Sequence, residues 1–397
     1  MRKILLPVLA ILMLCGCSPK SETLTLNVYN WGEYISDGSE ETINVNEEFE
    51  KYCLAELGKK VKVNYTTYAS NEDMYNKIKS GSASYDVIIP SDYMIERMIE
   101  ENMLQKLDFS NIPNYKYVNE DFRGLFFDAK DEYSVPYTYG MIGIIYNEDM
   151  VDEEDTGSWD LLWNDKYKGQ ILQFNNPRDA FGTAIYSVGG DVNTTDVPVW
   201  ESAAQKLKEQ KPLIQSYVMD EIFNKMKNGS AAAAPYYAGD YLTMYDSNDS
   251  LKFYYPKEGT NVFVDSMCVP VCARNKKLAE QYINFMLTDE IAIANAEYIA
   301  YSSPLDNVIS NEDYISGMLE WNEDAIDILY PVDLDIKTSF YENLDADTLM
   351  LQNRLWETLK IENSVEPWIY ITSGTIVLLL LGLILYRYII KKIRDKY

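Results

Sequence analysis

Tyr85-Asp86-Val87-Ile88-Ile89-Pro90-Ser91-Asp92-Tyr93 is the stretch that decides the fold. Its apolar centre reads as a short strand buried on both faces, and Pro90, which has no N–H to give a ladder, stops it. Ser91 and Asp92 are helix-capping residue types, and the segment Tyr93–Glu101 that follows has helical spacing. The same alternation runs upstream. Leu24–Tyr29 is strand-like, residues 40–57 form an acidic amphipathic helix, Val61–Tyr68 is a strand, and Met74–Lys79 is a helix after Ser70-Asn71-Glu72. Downstream it resumes after residue 140, with strands at Ile142–Tyr146, Gln170–Phe174, Leu251–Tyr255 and Val262–Val271. Helical stretches fall near 198–209 and 219–227, then at Lys276–Leu287 and Glu290–Tyr298. Strand and helix in this order make a largely parallel α/β sheet, and two such blocks predict two lobes.

Sheets of this kind bind ligands outside the carboxyl ends of their strands. The exits here share a composition: aromatic rings beside acids or hydroxyls. Tyr29-Asn30-Trp31-Gly32-Glu33-Tyr34, Ser91-Asp92-Tyr93, Tyr236-Tyr237-Ala238-Gly239-Asp240 and Phe263-Val264-Asp265-Ser266 all follow it. Asn175–Asp179 is a fifth exit. A ring face attracts a cation and its alkyl stem, and a carboxylate at the rim forms a charge-assisted hydrogen bond with an ammonium group. An Asp after a strand is more commonly a helix cap or a solvated turn, so it is the repetition that points to an organic cation.

The chain has 397 residues, 62 Asp and Glu against 35 Lys and Arg, and no histidine. Its formal charge of −27 excludes a nucleic-acid binder, which needs a basic face. The lack of histidine excludes Ser-His-Asp and Cys-His catalysis and every imidazole zinc motif. Paired carboxylates for a glycosidase arise by chance among so many acids and carry no signal. No cofactor is called for. Tyrosine, at 33 residues against 12 Phe and 7 Trp, suits clefts that are part apolar and part wet.

The two ends read as membrane signals. Residues 1–16 have a basic start and an apolar run, as a signal peptide does. Leu14-Cys15-Gly16-Cys17 resembles a lipobox, with Cys17 as the lipidated residue. Residues 367–388 open with twenty uncharged residues, Pro367 to Tyr386, and are expected to form a transmembrane helix. The basic tail 389–397 is then cytoplasmic by the positive-inside rule. Setting aside +2 at the start and +4 from Arg387 onward leaves −33 on the exterior part. Of the remaining cysteines, Cys268 and Cys272 stand four residues apart on one extended segment, too distant to bridge; a bridge from Cys53 to either is the alternative to the simpler reading of all three as buried free thiols.

Over Leu24 to Leu359 the sequence resembles the bacterial spermidine/putrescine-binding proteins, extracytoplasmic receptors of polyamine ABC importers. The likeness is carried by the exits above, by Tyr68-Ala69-Ser70-Asn71-Glu72, Tyr133-Ser134-Val135-Pro136-Tyr137, Ser158-Trp159-Asp160-Leu161-Leu162 and Tyr255-Pro256-Lys257-Glu258-Gly259, and by Tyr298-Ile299-Ala300-Tyr301-Ser302-Ser303-Pro304. The resemblance implies a type II periplasmic-binding-protein fold, with lobe 1 at 24–138 plus 266–310 and lobe 2 at 139–265 plus 311–362. It implies an apolar slot of Trp31, Tyr34, Tyr93, Tyr237, Phe263 and Tyr301, with Ser91 offering a hydroxyl. Asp179, Asp240 and Asp265 would pair with amines, and Glu33 and Tyr341 would join them. Asn176 stands where some spermidine-preferring members carry an acid, which tilts the expectation toward putrescine. The implied partners are a polyamine, the permease subunits of the importer, and the membrane through a lipid and the C-terminal helix. The competing reading is a sugar-binding protein whose rings stack on pyranose faces.

Overall fold

The computed structural model describes residues 23–361 except 333, together with scattered residues between 374 and 390. The described residues up to 345 form one compact unit and those from 346 a second. In the first unit, β1 (Leu24–Trp31) pairs in parallel with β2 (Val61–Tyr68) on one side and β3 (Val87–Ile88) on the other. Helices return the chain between them: α1 (Val45–Glu56), α2 (Asn71–Lys79) and α3 (Asp92–Glu100). Asn44 caps α1 by accepting from the Glu47 N–H, and Ser70 caps α2 by accepting from the Asp73 N–H. α1 turns Val45, Phe49 and Cys53 to the core at spacings of four, the stripe an amphipathic helix buries.

The second block repeats the plan. β5 (Ile171–Phe174) lies parallel to β6 (Ile214–Val218) and β7 (Ala233–Tyr237). α4 (Pro177–Tyr186), α5 (Val197–Gln210), α6 (Glu221–Lys227) and α7 (Ala238–Tyr245) connect and cover these strands. Two long strands join the halves: β4 (Ser134–Asn147) and β9 (Thr260–Cys268), paired antiparallel along most of their length. β9 also meets β3 through Ile88 and Cys268, while β4 meets β7 and β8 (Leu251–Tyr254). The strand order is therefore β2-β1-β3-β9-β4-β7-β5-β6, and β10 (Thr338–Phe340) lies beside β9. α8 (Lys276–Met286) and α9 (Asp289–Ile299) follow β9.

The expected elements match closely, with one informative exception. The apolar run Ile142–Tyr146 is only the end of the 14-residue β4. Its first half carries Pro136, which costs a ladder hydrogen bond, and the register shifts there between Pro136 and Thr138. A proline at a bulge hid the strand that crosses between the halves. Cys53, Cys268 and Cys272 are free, as expected.

The transmembrane helix expected at 367–388 is corrected. Among the described residues no helix is long and apolar enough to cross a membrane. The last continuous one, Ala346–Ile361, carries Asp347, Arg354, Glu357 and Lys360 within 16 residues, far from the twenty or so apolar residues a span needs. The fold class is the two-lobed α/β fold without that helix. Most of 367–388, along with residues 1–16, Cys17 and all of the tail but Ile390, lies outside the described residues.

Asp86 of the opening stretch is an anchor of the fold. It is buried, accepting from the Asn27 backbone N–H (2.9 Å) and side-chain amide (3.3 Å) with one oxygen. Its other oxygen takes the N–H groups of Arg274 (2.9 Å) and Asn275 (3.1 Å). Asp86→Ala removes the buried acceptor shared by these four donors and should lower unfolding free energy by about 3 kcal/mol in denaturant titration. The middle of β1 and the α8 entry should then lose hydrogen-exchange protection together.

Candidate ligand-binding site

A cavity of about 70 Å³ lies against β9 and the exits of the strands around it. Trp31 and Tyr34 enter it from the turn after β1, and Ser91 and Tyr93 from the step between β3 and α3. Asp179 comes from the first turn of α4, and Tyr237 and Asp240 from the junction of β7 and α7. Phe263 and Asp265 project from β9, Tyr301 follows α9, and Tyr341 follows β10. These eleven are the residues singled out from the sequence, Glu33 excepted.

Each acid is held by a tyrosine. The Tyr34 hydroxyl donates to Asp265 Oδ2 at 2.8 Å, Tyr237 to Asp179 Oδ2 at 2.7 Å, and Tyr301 to Asp240 Oδ2 at 2.7 Å. Tyr34 also shares a short hydrogen bond with Thr138 of β4. Asp179 gains a second donor, the Asn176 side-chain amide, at 2.7 Å. The other oxygen of Asp265, Oδ1, is buried and has no hydrogen-bond partner. The aromatic rings form a continuous lining. Tyr34 and Tyr301 meet edge to face at 4.8 Å, Tyr237 and Phe263 at 5.4 Å, and Tyr93 and Tyr341 at 6.2 Å. Two glycines make room for this: a Cβ on Gly140 would stand 2.8 Å from Phe263 Cζ, and one on Gly239 would strike the Tyr301 ring.

The electrostatics follow from burial. Desolvation pushes the Asp265 carboxyl up to about 7 against the opposing hydroxyls of Ser91 and Tyr34. It pushes Asp240 up to about 8 against the Tyr301 bond. Asp179 is raised for the same reason, opposed by Tyr237, Asn176 and Arg178. These carboxyls want a cation, and among the described residues no lysine or arginine forms an ion pair with them. The nearest buried one, Arg178, is turned away, donating to Val192 O (3.0 Å), Asn193 Oδ1 (2.8 Å) and Glu342 O (3.1 Å).

Several lining residues were missed. Asn71 and Glu72 sit at the exit of β2, where they read only as a helix start. Tyr93 donates to Glu72 at 3.0 Å and receives from Asn71 at 3.2 Å. Asn261 lies two residues before Phe263 on β9, and the alternation of a strand would have found it. Asp92, buried, accepts from the N–H of Tyr93 (2.7 Å) and of Val264 (3.2 Å), so it pins β9 to the Ser91 turn. Glu33 is placed elsewhere. It lines a wider depression of about 980 Å³ with Glu41, Glu221 and Glu297, which shares Asp220 and Asp240 with the inner cavity.

Two α/β halves joined by crossing strands, with acids and rings from both around one cavity, define a solute-binding receptor of the two-lobed kind. The comparisons agree. The family described as bacterial extracellular solute-binding protein matches residues 46–318, and the chain belongs to it. The spermidine/putrescine-binding periplasmic protein of Escherichia coli (strain K12) is 34% identical over 281 residues, 70% of this chain and 77% of that protein. The putrescine-binding periplasmic protein SpuD of Pseudomonas aeruginosa is 27% identical over 364 residues, 87% of this chain and 94% of that one. Among solved structures, the spermidine/putrescine substrate-binding protein PotD of Streptococcus pneumoniae superposes with a TM-score of 0.67 at 33% identity, covering 85% of this chain and 99% of that one. The TpPotD lipoprotein of Treponema pallidum does so with a TM-score of 0.70 at 25% identity, covering 84% of this chain and 99% of that one.

Carboxyls raised by folding bind more protons in the native than in the unfolded chain between about pH 4 and pH 8, so they oppose folding as pH rises through that window. The ligand-free protein should therefore melt roughly 5 °C or more lower at pH 8 than at pH 5. Asp240→Asn should flatten the profile in scanning calorimetry.

Proposed function

We propose that this protein is the extracytoplasmic substrate-binding receptor of an ABC importer for linear polyamines, putrescine and spermidine. The observation that carries the reading is Asp265, a buried carboxylate that takes the Tyr34 hydroxyl on one oxygen and, with the Ser91 hydroxyl facing it, has no hydrogen-bond partner on the other. An ammonium group is the partner that such an oxygen lacks. Asp179 and Asp240 offer further anionic ends, and the ring faces between them suit methylene groups and their adjacent positive charge. The spermidine/putrescine-binding and putrescine-binding relatives support the same class of ligand. A sugar is the poorer occupant, because a neutral ring would leave three buried carboxyls without a counter-charge.

The halves would close over the ligand by bending β4 and β9 where they cross, near Tyr139 and Asp265, and the closed form would be handed to the permease. The acidic depression beside the cavity, with Glu33 in it, would draw cations toward the opening. The receptor would be held at the membrane by a lipid on Cys17. If so, mass spectrometry of the mature protein should find residues 1–16 removed and a diacylglycerol on Cys17; a free, unmodified terminus would remove the anchor from this reading.

Binding should release protons, since Asp265 and Asp240 titrate near neutrality when the site is empty. Affinity should rise with pH from 6 to 8, and the calorimetric enthalpy should depend on the ionisation enthalpy of the buffer. Asp265→Ala leaves a buried ammonium unpaired and should cost about 3–5 kcal/mol of putrescine binding. Unchanged affinity in that variant, or a thermal-shift screen in which an oligosaccharide stabilises the protein and polyamines do not, would sink the proposal.

A further inference from the structure

Asn261 is the least explained residue of the cavity. It is 1% exposed, it lines the same void as Phe263 and Asp265, and neither its side-chain oxygen nor its nitrogen has a hydrogen-bond partner. Burying an amide without partners is costly, and native structures seldom do so without a use for the group. Its neighbours do not relieve it. Asn261 pairs through its backbone with Ser339 of β10, while Tyr341, further along that segment, lines the cavity.

Its position on β9 is informative. The pairing of β9 with β4 is regular from Val262 to Asp265, so Asn261, Phe263 and Asp265 share one face at two-residue intervals. At about 3.3 Å per residue, Asn261 stands roughly 13 Å along the strand from Asp265, with the Phe263 ring midway. Asn and Asp side chains are equal in length, so their polar atoms have about the same separation. An extended chain gains roughly 1.2 Å per bond. The five bonds between the nitrogens of a four-carbon diamine then reach about 6 Å, and the nine between the end nitrogens of spermidine about 11 Å. With a hydrogen bond of about 2.8 Å at each end, the diamine falls short of joining the two residues and the triamine reaches both.

We infer that Asn261 is a specificity-determining residue that reads ligand length: its amide oxygen accepts an N–H from the far nitrogen of a triamine anchored on Asp265, with the methylenes lying over Phe263. This rests on the polyamine reading of the site and adds to it a discrimination between chain lengths. A neutral amide suits that end, because it accepts from an ammonium without adding another carboxylate to those already buried around the cavity. It also reverses the tilt toward putrescine drawn from Asn176, whose amide is occupied with Asp179.

The test is titration calorimetry of wild type, Asn261→Leu and Asn261→Asp with putrescine and with spermidine, alongside thermal melts without ligand. Leucine fills the same space without polar atoms, so it should raise the ligand-free melting temperature. It should weaken spermidine tenfold or more and leave putrescine within twofold. Aspartate keeps the acceptor and should restore spermidine to within about threefold of wild type. Equal losses for the two ligands, or no loss for spermidine, would overturn the inference while leaving the polyamine reading intact. So would a wild type that binds putrescine and not spermidine. A wild type that binds neither would overturn both.

Discussion

Burial of acid at the crossing of β4 and β9 is the constraint on which the rest of the site depends. A carboxyl removed from water is costly, and Asp179, Asp240 and Asp265 are among the acids that stand around one cavity. The structure eases that cost by giving each one tyrosine hydroxyl, a donor without formal charge. A lysine or arginine in the same place would neutralise the carboxyl and leave nothing for a ligand to do. A hydroxyl satisfies one lone pair and keeps the acid's affinity for a cation.

This arrangement explains several features at once. Tyrosine outnumbers phenylalanine because the wall must be apolar along its face and polar at its tip. Arg178, buried near Asp179, is turned onto backbone carbonyls and stacked 4.4 Å from the Tyr341 ring centroid. Its charge is used to hold the α4 turn against the segment after β10. Gly140 and Gly239 give up their side chains so that Phe263 and Tyr301 can lie close to backbone. Asp92, the acid of the same exit as Ser91, is occupied by two backbone N–H groups, so of the two residues it is Ser91 that faces the carboxyl of Asp265.

Most of the site was legible because strand exits can be found from local pattern. A run such as Val87-Ile88-Ile89-Pro90 announces its own end, and the residues just beyond it are at the carboxyl edge of the sheet whatever the rest of the chain does. Glu33 shows the limit. It lies in the same exit as Trp31 and Tyr34, but its backbone takes a left-handed turn (φ 50°), and it joins the outer depression. Asn261 shows the opposite failure: the segment Phe263–Ser266, read as an exit, lies inside β9, and Asn261 on the same strand falls just before it. The strand β4 was half hidden because Pro136 broke its apolar run.

The sequence by itself determined the order of strands and helices, the two-block plan, the residue types at each exit and the family resemblance. These are set by hydrophobic period, by proline and capping residues, and by short motifs, all of which act over a few residues. Only the tertiary structure decided which acid meets which hydroxyl. The partners of Asp179, Asp240 and Asp265 lie 58, 61 and 231 residues away in the chain. No local pattern encodes such a pairing. It exists because two strands cross between the halves and bring their exits to one place, where burial then sets how strongly each carboxyl holds its proton.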